Sequence, residues 1–190
     1  NVGYGNIHLP DHEMHTPALW WQVAPLSRAR AFDNRWQALD GFLGAAYALH
    51  HVAALLSMSE RADIGRAVGD GNSTWSAVVG VDGRGTARTF SGESVDLDDP
   101  ERVFVPTVFL YDNYPDGIGL SAPLYGMRSE VIRRAIELVA ACPCTHGCPS
   151  CVGPILASDQ ARGSPKRSAM TVLGLIANTE GTGVPTDAAR

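Results

Sequence analysis

The chain has 190 residues, 45% of them hydrophobic, and a formal net charge of −5. That length and composition suit one domain with a sizeable core. The acidic balance is not the footprint of a general nucleic-acid binder, although a local basic patch is compatible with it.

The first residues, NVGYGNIHLPDHEMH, hold no basic start and no apolar run, so no secretory signal is read there. They open without methionine, as expected of a fragment cut from a longer chain. TPALWWQVAP, from Thr16 to Pro25, is aromatic-rich and bounded by prolines, which predicts a strand. Asp33 is placed to cap a helix starting near Arg35 and ending near Met58, with Trp36, Leu39, Leu43, Ala46, His50 and Ala53 on one stripe. This stretch carries Asp40, His50 and His51 and reads as a buried helix of a soluble protein, not a membrane span. SERADIGRAVGDGNS is polar and turn-rich. TWSAVVGV and GTARTF flank Asp82-Gly83 as a hairpin would, and SGESVDLDDPE reads as an acidic loop. RVFVPTVFLYDNY predicts a buried strand despite Pro106, and YPDGIGLS a glycine-rich turn after it.

A second helix is expected from about Leu124 to Ala141. Val131, Ala135, Leu138 and Cys142 make one apolar row, and Ile132, Ile136 and Val139 the next. Its outer face pairs Glu130 with Arg134 and Arg133 with Glu137 at i,i+4. SPKRSAMTVLGLIANT predicts a last helix, capped by Ser164 with Pro165 in its first position. Residues 181–190 read as a disordered tail. The fold class is therefore α+β: a small, mainly antiparallel sheet packed by two or three helices, with a cysteine knot between the last two.

All four cysteines lie in CPCTHGCPSC, as Cys142, Cys144, Cys148 and Cys151. With no targeting segment read, the expected compartment is the cytoplasm, where thiols stay reduced and a cluster points to metal. Four soft ligands this close converge only if the backbone turns sharply, and Gly147, Pro143 and Pro149 supply such turns. One tetrahedral zinc ion would give a closed structural site. An iron–sulfur cluster also takes four cysteines. A redox pair at Cys148 and Cys151 lacks a thioredoxin-like setting, and metal-free burial is poorly served by ten residues with so few large apolar groups. His146 lies inside the knot and reads as exposed.

Other signals are weaker. His12 and His15 in DHEMHT fit neither a helicase box nor a zincin motif, and read as loop and strand histidines. His50 on the apolar stripe reads as a hydrogen-bonded core histidine. YPDGIGLS lacks the lysine of a phosphate loop, and Asp112 and Asp116 at its ends would either meet a metal or cap the turn. No ATP-binding motif is present, so no catalysis is expected of this chain alone. From Arg128 to Arg167 six basic residues face three acids, Glu130, Glu137 and Asp159. Arg133, Arg134, Arg162, Lys166 and Arg167 are the candidate phosphate-backbone contacts; a solvated, ion-paired helix face is the alternative.

TPALWWQV, ALHHVAALLSMSERADIG, VFLYDNYPDGIGLS and CPCTHGCPSCVGP, in that order, resemble the C-terminal zinc-binding domain of the mitomycin-repair-factor-A type of DEAD/DEAH-box DNA helicase. The resemblance covers roughly Thr16 to Ile176, so residues 1–180 would form the accessory domain. It implies a superfamily 2 helicase that moves on single-stranded DNA, with ATP used only in motor domains absent from this chain. It implies one structural zinc on Cys142, Cys144, Cys148 and Cys151. DNA and the motor domains become the expected partners, with no membrane. The domain would position or separate strands; as an alternative, it would bind the motor or a partner protein without touching DNA. A third possibility, an enzyme using Asp112, Asp116 or His15 at a second metal, has little support. Asp116 stands where members carry the first of two glycines, and VGPILASDQARGSPK replaces a further cysteine after CPSC. Loss of any one cysteine is expected to unfold the knot and detach the last helix.

Overall fold

The β-branched and aromatic run before YPDG forms the central strand of the main sheet. The computed structural model describes residues 14–23, 31–32, 35–70, 80–81, 86–88, 94–96, 106–154 and 163–179. In chain order the elements are β1 (Ala18–Gln22), α1 (Arg35–Leu56), β2 (Ile64–Asp70), β3 (Gly80–Val81), β4 (Thr86–Arg88), β5 (Ser94–Asp96), β6 (Pro106–Asp112), α2 (Ser121–Gly126), α3 (Arg128–Ala141) and α4 (Pro165–Thr179). The expected α+β class holds. A three-stranded antiparallel sheet of order β1-β6-β2 is joined, among the described residues, by four helices, and the cysteines lie between α3 and α4.

Alternation along the strands sorts their side chains between two faces. Leu19 lies opposite Leu110, Trp21 opposite Val108, and Val68 opposite Val108 on the other side. With Ile64 these are all buried, and they form the inner face. Pro106 is tolerated because it opens the strand, where a missing N–H is least costly.

The turn-rich reading of SERADIGRAVGDGNS missed β2. Its glycines, Gly65 and Gly69, argue against a strand. The reason it forms lies on β6: a Cβ on Gly65 would stand 2.2 Å from the Tyr111 ring, and one on Gly69 2.9 Å from Phe109. Aromatic rings from the neighbouring strand thus cover bare backbone. The expected hairpin is present as β3 paired with β4, Gly80 opposite Arg88. The expected acidic loop is in part strand, since β5 pairs with β4, Ala87 opposite Val95.

Helix α1 contacts β2 and β6 on one side and α3 and α4 on another. That position explains why the single stripe read from sequence is too narrow. Ala38, Phe42, Ala45, Ala48, Leu49 and Val52 are buried along with Leu39, Ala46 and Ala53. The helix is long and apolar enough to cross a membrane by composition, but most of it is buried inside the domain. Each large apolar side chain taken from water contributes roughly 1.5–3 kcal/mol. Gly41 and Gly44 set the approach to α4 and the knot. A Cβ on Gly41 would meet the Ser168 carbonyl oxygen at 2.8 Å, and one on Gly44 would meet Ala169 and Val152. The helix ends at Leu56, close to the expected Met58, which sits just beyond it at φ 52°. Asp33, the expected cap, lies outside the described residues.

His50 is buried, as expected of a core histidine. Its Nε2 lies 2.8 Å from the Ile64 carbonyl oxygen and 3.0 Å from that of Arg61, tying α1 to the start of β2. The helix expected from Leu124 to Ala141 is two helices that meet at Met127. On α3 the two apolar rows face inward, with Val131, Ile132, Ala135 and Val139 buried.

Candidate metal centre

Helix α3 stops at Cys142, which is already extended at φ −65° and ψ 128°. Pro143 enforces this, since a proline disfavours helical backbone in the residue before it. Gly147 at φ 120° then provides a conformation that side-chain-bearing residues rarely adopt. A turn in which the N–H groups of Cys151 and Val152 both donate to the Cys148 carbonyl oxygen closes the knot. Val152 is buried near Gly44, so the knot's last strand of chain is set into α1.

The four sulfurs converge. Cys142 Sγ stands 3.5 Å from the Sγ atoms of Cys144 and Cys148, Cys144 Sγ is 3.5 Å from that of Cys151, and Cys148 Sγ is 3.7 Å from that of Cys151. All four lie within 4.8 Å of one another. A zinc–sulfur bond of ~2.3 Å requires a tetrahedral sulfur edge of about 3.8 Å, so the donor set fits one such ion. Disulfides would bring sulfurs to ~2.05 Å, and all four cysteines are free. A four-iron cluster places an iron between each cysteine sulfur and its centre and needs a wider box than this. His146 is not among the converging ligands: it is exposed, with Nδ1 2.8 Å from Thr145 Oγ1.

The thiols are not equivalent. The Ser150 backbone N–H, aimed at the Cys148 sulfur, and the neighbouring thiols hold Cys148 down to about 6. Burial pushes Cys151 well up, and burial also raises Cys144. Cys148 therefore yields its proton to a cation more readily than Cys151 does.

Helix α4 straps the knot. Ser164 caps it as expected, its Oγ accepting from the Arg167 N–H at 3.3 Å. The same hydroxyl lies 3.3 Å from the His146 carbonyl oxygen, which also accepts the Lys166 N–H at 2.9 Å. The Lys166 ammonium donates to the carbonyl oxygens of Cys142, at 2.5 Å, and Cys144, at 2.9 Å. Lys166→Met, which keeps the stem and removes the charge, is expected to destabilise the knot by about 1–3 kcal/mol. Faster transfer of metal to a chromogenic chelator would report it; an unchanged rate would count against the strap.

The candidate phosphate contacts separate. Arg133 donates through Nε to Glu130 at 2.8 Å and also binds Glu137. Arg134 donates through Nε to Glu130 at 2.8 Å and lies 3.7 Å from Glu137. The Arg133 and Arg134 guanidiniums hold Glu130 down to about 2. These four side chains form a charge-balanced quartet on the outer face of α3. Lys166 faces the knot, Arg167 is exposed on the first turn of α4, and Arg162 lies outside the described residues.

Sequence reasoning left Asp112 open between metal ligand and turn cap. It is a cap. Its buried carboxylate accepts five donors: the N–H groups of Ile118 (2.8 Å), Gly119 (2.7 Å), Leu120 (3.0 Å) and Ser121 (3.0 Å), and the Ser121 hydroxyl (2.6 Å). The loop between β6 and α2 wraps this one side chain, with Asp116, Gly117 and Gly119 all at positive φ. Asp116 thus occupies a left-handed position where glycine is the easy choice. Its N–H donates to the carbonyl oxygen of His15, whose ring is exposed; His12 lies outside the described residues.

A four-thiol cage between two helices, half-buried at Cys142, Cys144 and Cys148 and buried at Cys151, defines a structural metal-binding domain, with all four positions filled by protein. A family model described as the MrfA Zn-binding domain matches residues 45–152, and the chain belongs to that family. It is 31% identical over 153 residues to the uncharacterized ATP-dependent helicase YprA of Bacillus subtilis (strain 168), covering 80% of this chain and 16% of YprA. A crystal structure of the DUF1998 helicase MrfA bound to DNA matches with a TM-score of 0.61 and 26% identity, over 92% of this chain and 19% of that one. The same helicase bound to DNA and AMPPNP matches with a TM-score of 0.53 and 25% identity, over 92% of this chain and 17% of the other. The chain therefore spans less than one fifth of the helicases it matches.

Proposed function

We propose that this chain is the zinc-stabilised C-terminal accessory domain of an ATP-dependent superfamily 2 DNA helicase. It holds one structural zinc on Cys142, Cys144, Cys148 and Cys151. It positions or separates DNA strands and docks on the motor domains, acts in DNA repair in the cytoplasm, and performs no chemistry of its own. The observation that carries this reading is the tetrahedral convergence of four sulfurs within a match to a Zn-binding helicase family. Elemental mass spectrometry of the purified chain tests the metal: one zinc and no iron per chain is expected, and two or more irons would overturn it. Salt-dependent binding of single-stranded DNA tests the role, because phosphate contacts release counterions.

A second reading is favoured by the ion-paired state of Arg133 and Arg134. Here the domain binds the motor or a partner protein and DNA never touches it. Leu55, Met58 and Ile118 are exposed and apolar, as such contacts require.

A further inference from the structure

Resting on the DNA-positioning reading above, we propose that Arg61, Arg66, Tyr47 and His51 form a contact surface for single-stranded DNA, with the two guanidiniums on phosphates and the Arg66 guanidinium, seated on the Tyr47 ring, presenting its outer plane to a base.

The two arginines differ from the pair on α3. Among the described residues neither Arg61 nor Arg66 has a carboxylate within ion-pair distance, whereas Arg133 and Arg134 each have one. The nearest acid in sequence that is engaged, Asp63, accepts from the Tyr114 hydroxyl at 3.0 Å and from the Glu60 N–H at 2.9 Å. Both arginines are exposed. Arg66 sits on the edge strand β2 with its Cζ 5.2 Å from the centroid of the Tyr47 ring, and its Nη1 is 3.4 Å from His50 Nδ1. His51 stacks on Tyr47 with centroids 6.4 Å apart and planes at 29°.

These groups make a layered platform of guanidinium, phenol and imidazole on an acidic chain. Phosphate attracts a guanidinium that no carboxylate neutralises, and a base stacks on a guanidinium plane as it does on an aromatic ring, which is how sequence-tolerant single-strand sites are built. An acidic peptide would use the charges but leave the stacked rings without a role. Burial first, and then the positive charge of Arg66 and Arg61, hold His50 below its usual range; burial and Arg61 do the same for His51. The platform also adjoins the knot. The Tyr47 ring packs on Gly153, two residues past Cys151, where a Cβ would come within 2.7 Å of it.

The test uses the zinc-loaded 190-residue chain and a fluorescein-labelled oligothymidine, followed by anisotropy across a salt series. Arg61→Glu combined with Arg66→Glu is expected to weaken binding at least about tenfold. It should also flatten the log–log salt slope by about 1.4, the loss of two single-strand phosphate contacts. Arg61→Glu alone reverses an exposed charge and guards against misfolding of the double variant; it should flatten the slope by about 0.7. Tyr47→Leu should weaken binding about tenfold with the slope retained. If wild type binds and the Arg61 and Arg66 variants bind equally well, while reversal of Arg133 and Arg134 abolishes binding, this surface is overturned and the DNA role stands. Displacement of the oligonucleotide by polyglutamate at equal charge would overturn it in favour of an acidic protein partner. Absence of any binding by wild type at low salt would overturn the DNA role together with the surface.

Discussion

Cys151→Ser is expected to reduce bound zinc from one ion per chain to none and to lower the unfolding free energy by about 4 kcal/mol. That figure is the linkage gain when free zinc exceeds its dissociation constant about 1,000-fold. Cys151 is fully buried and is the ligand that joins the knot to Val152 and the core. Its loss removes a quarter of the cage and leaves three thiols close enough to repel as thiolates. Chelator treatment of the wild-type chain should produce a loss of the same size, which separates the metal's contribution from any effect of burying a hydroxyl. The structure changes one expectation drawn from sequence. Detachment of the whole last helix is not expected, because Ala169, Val172, Leu173 and Ile176 are buried independently of the sulfurs. Only its first turn, tied to the knot through Ser164 and Lys166, should fray. Hydrogen exchange should show protection lost at 164–167 and retained at 172–176. Full stability of the variant in chelator would remove the structural role of the site.

Asp112→Ala should be more damaging than its place in a loop suggests. Five donors converge on that carboxylate, and stranded buried donors cost about 1–3 kcal/mol each before relaxation and hydration. A loss of at least about 3 kcal/mol is expected, and at roughly 2–4 °C per kcal/mol for a chain of this size it should be plain in a melting curve. Asp112→Asn keeps an acceptor but loses the charge and should fall between. Burial by itself would raise the Asp112 pKa, but the Ser121 hydroxyl and the backbone N–H groups outweigh it, and the net shift is downward. A lowered folded value means that the contribution is complete above the unfolded pKa, about 3.9, and is lost as pH falls through the folded one. The stability gap between wild type and Asp112→Asn should therefore be constant near neutrality and shrink in acid below about pH 4. A gap that widened in acid would show that the carboxylate is not held by these donors.

The cysteine knot was legible because its ligands are adjacent in sequence and its turns are marked by glycine and proline. The caps and ion pairs of α3 and α4 were legible for the same reason: each is a contact across three or four residues. What escaped reading depends on distant partners. Gly65 and Gly69 speak against a strand until Tyr111 and Phe109 are seen lying over them. Lys166 looks like a free cation until α4 is brought across the carbonyl groups of Cys142 and Cys144. Arg133 and Arg134 were nominated for phosphate with an ion-paired helix face as the alternative, and the glutamate pairing now seen was already visible at i,i+4. Arg66 gains its significance only from Tyr47, nineteen positions earlier and on another element. The break at Met127 had a local sign in Gly126, outweighed by the apolar rows that continue beyond it.

The close seating of α1 against α4 at Gly41 and Gly44 sets an order of events during synthesis. Two glycines weaken α1 as an isolated helix, and the partner surface that shields it begins at Ser168. At ribosomal speeds of ~5–20 residues per second, the more than a hundred intervening residues take roughly ten seconds to emerge. For that interval the α4-facing side of the most apolar segment of the chain is without its cover. A nascent chain of this family is therefore expected to need a holding chaperone between the appearance of α1 and that of α4, and a ribosome stalled before Ser168 should expose an aggregation-prone product.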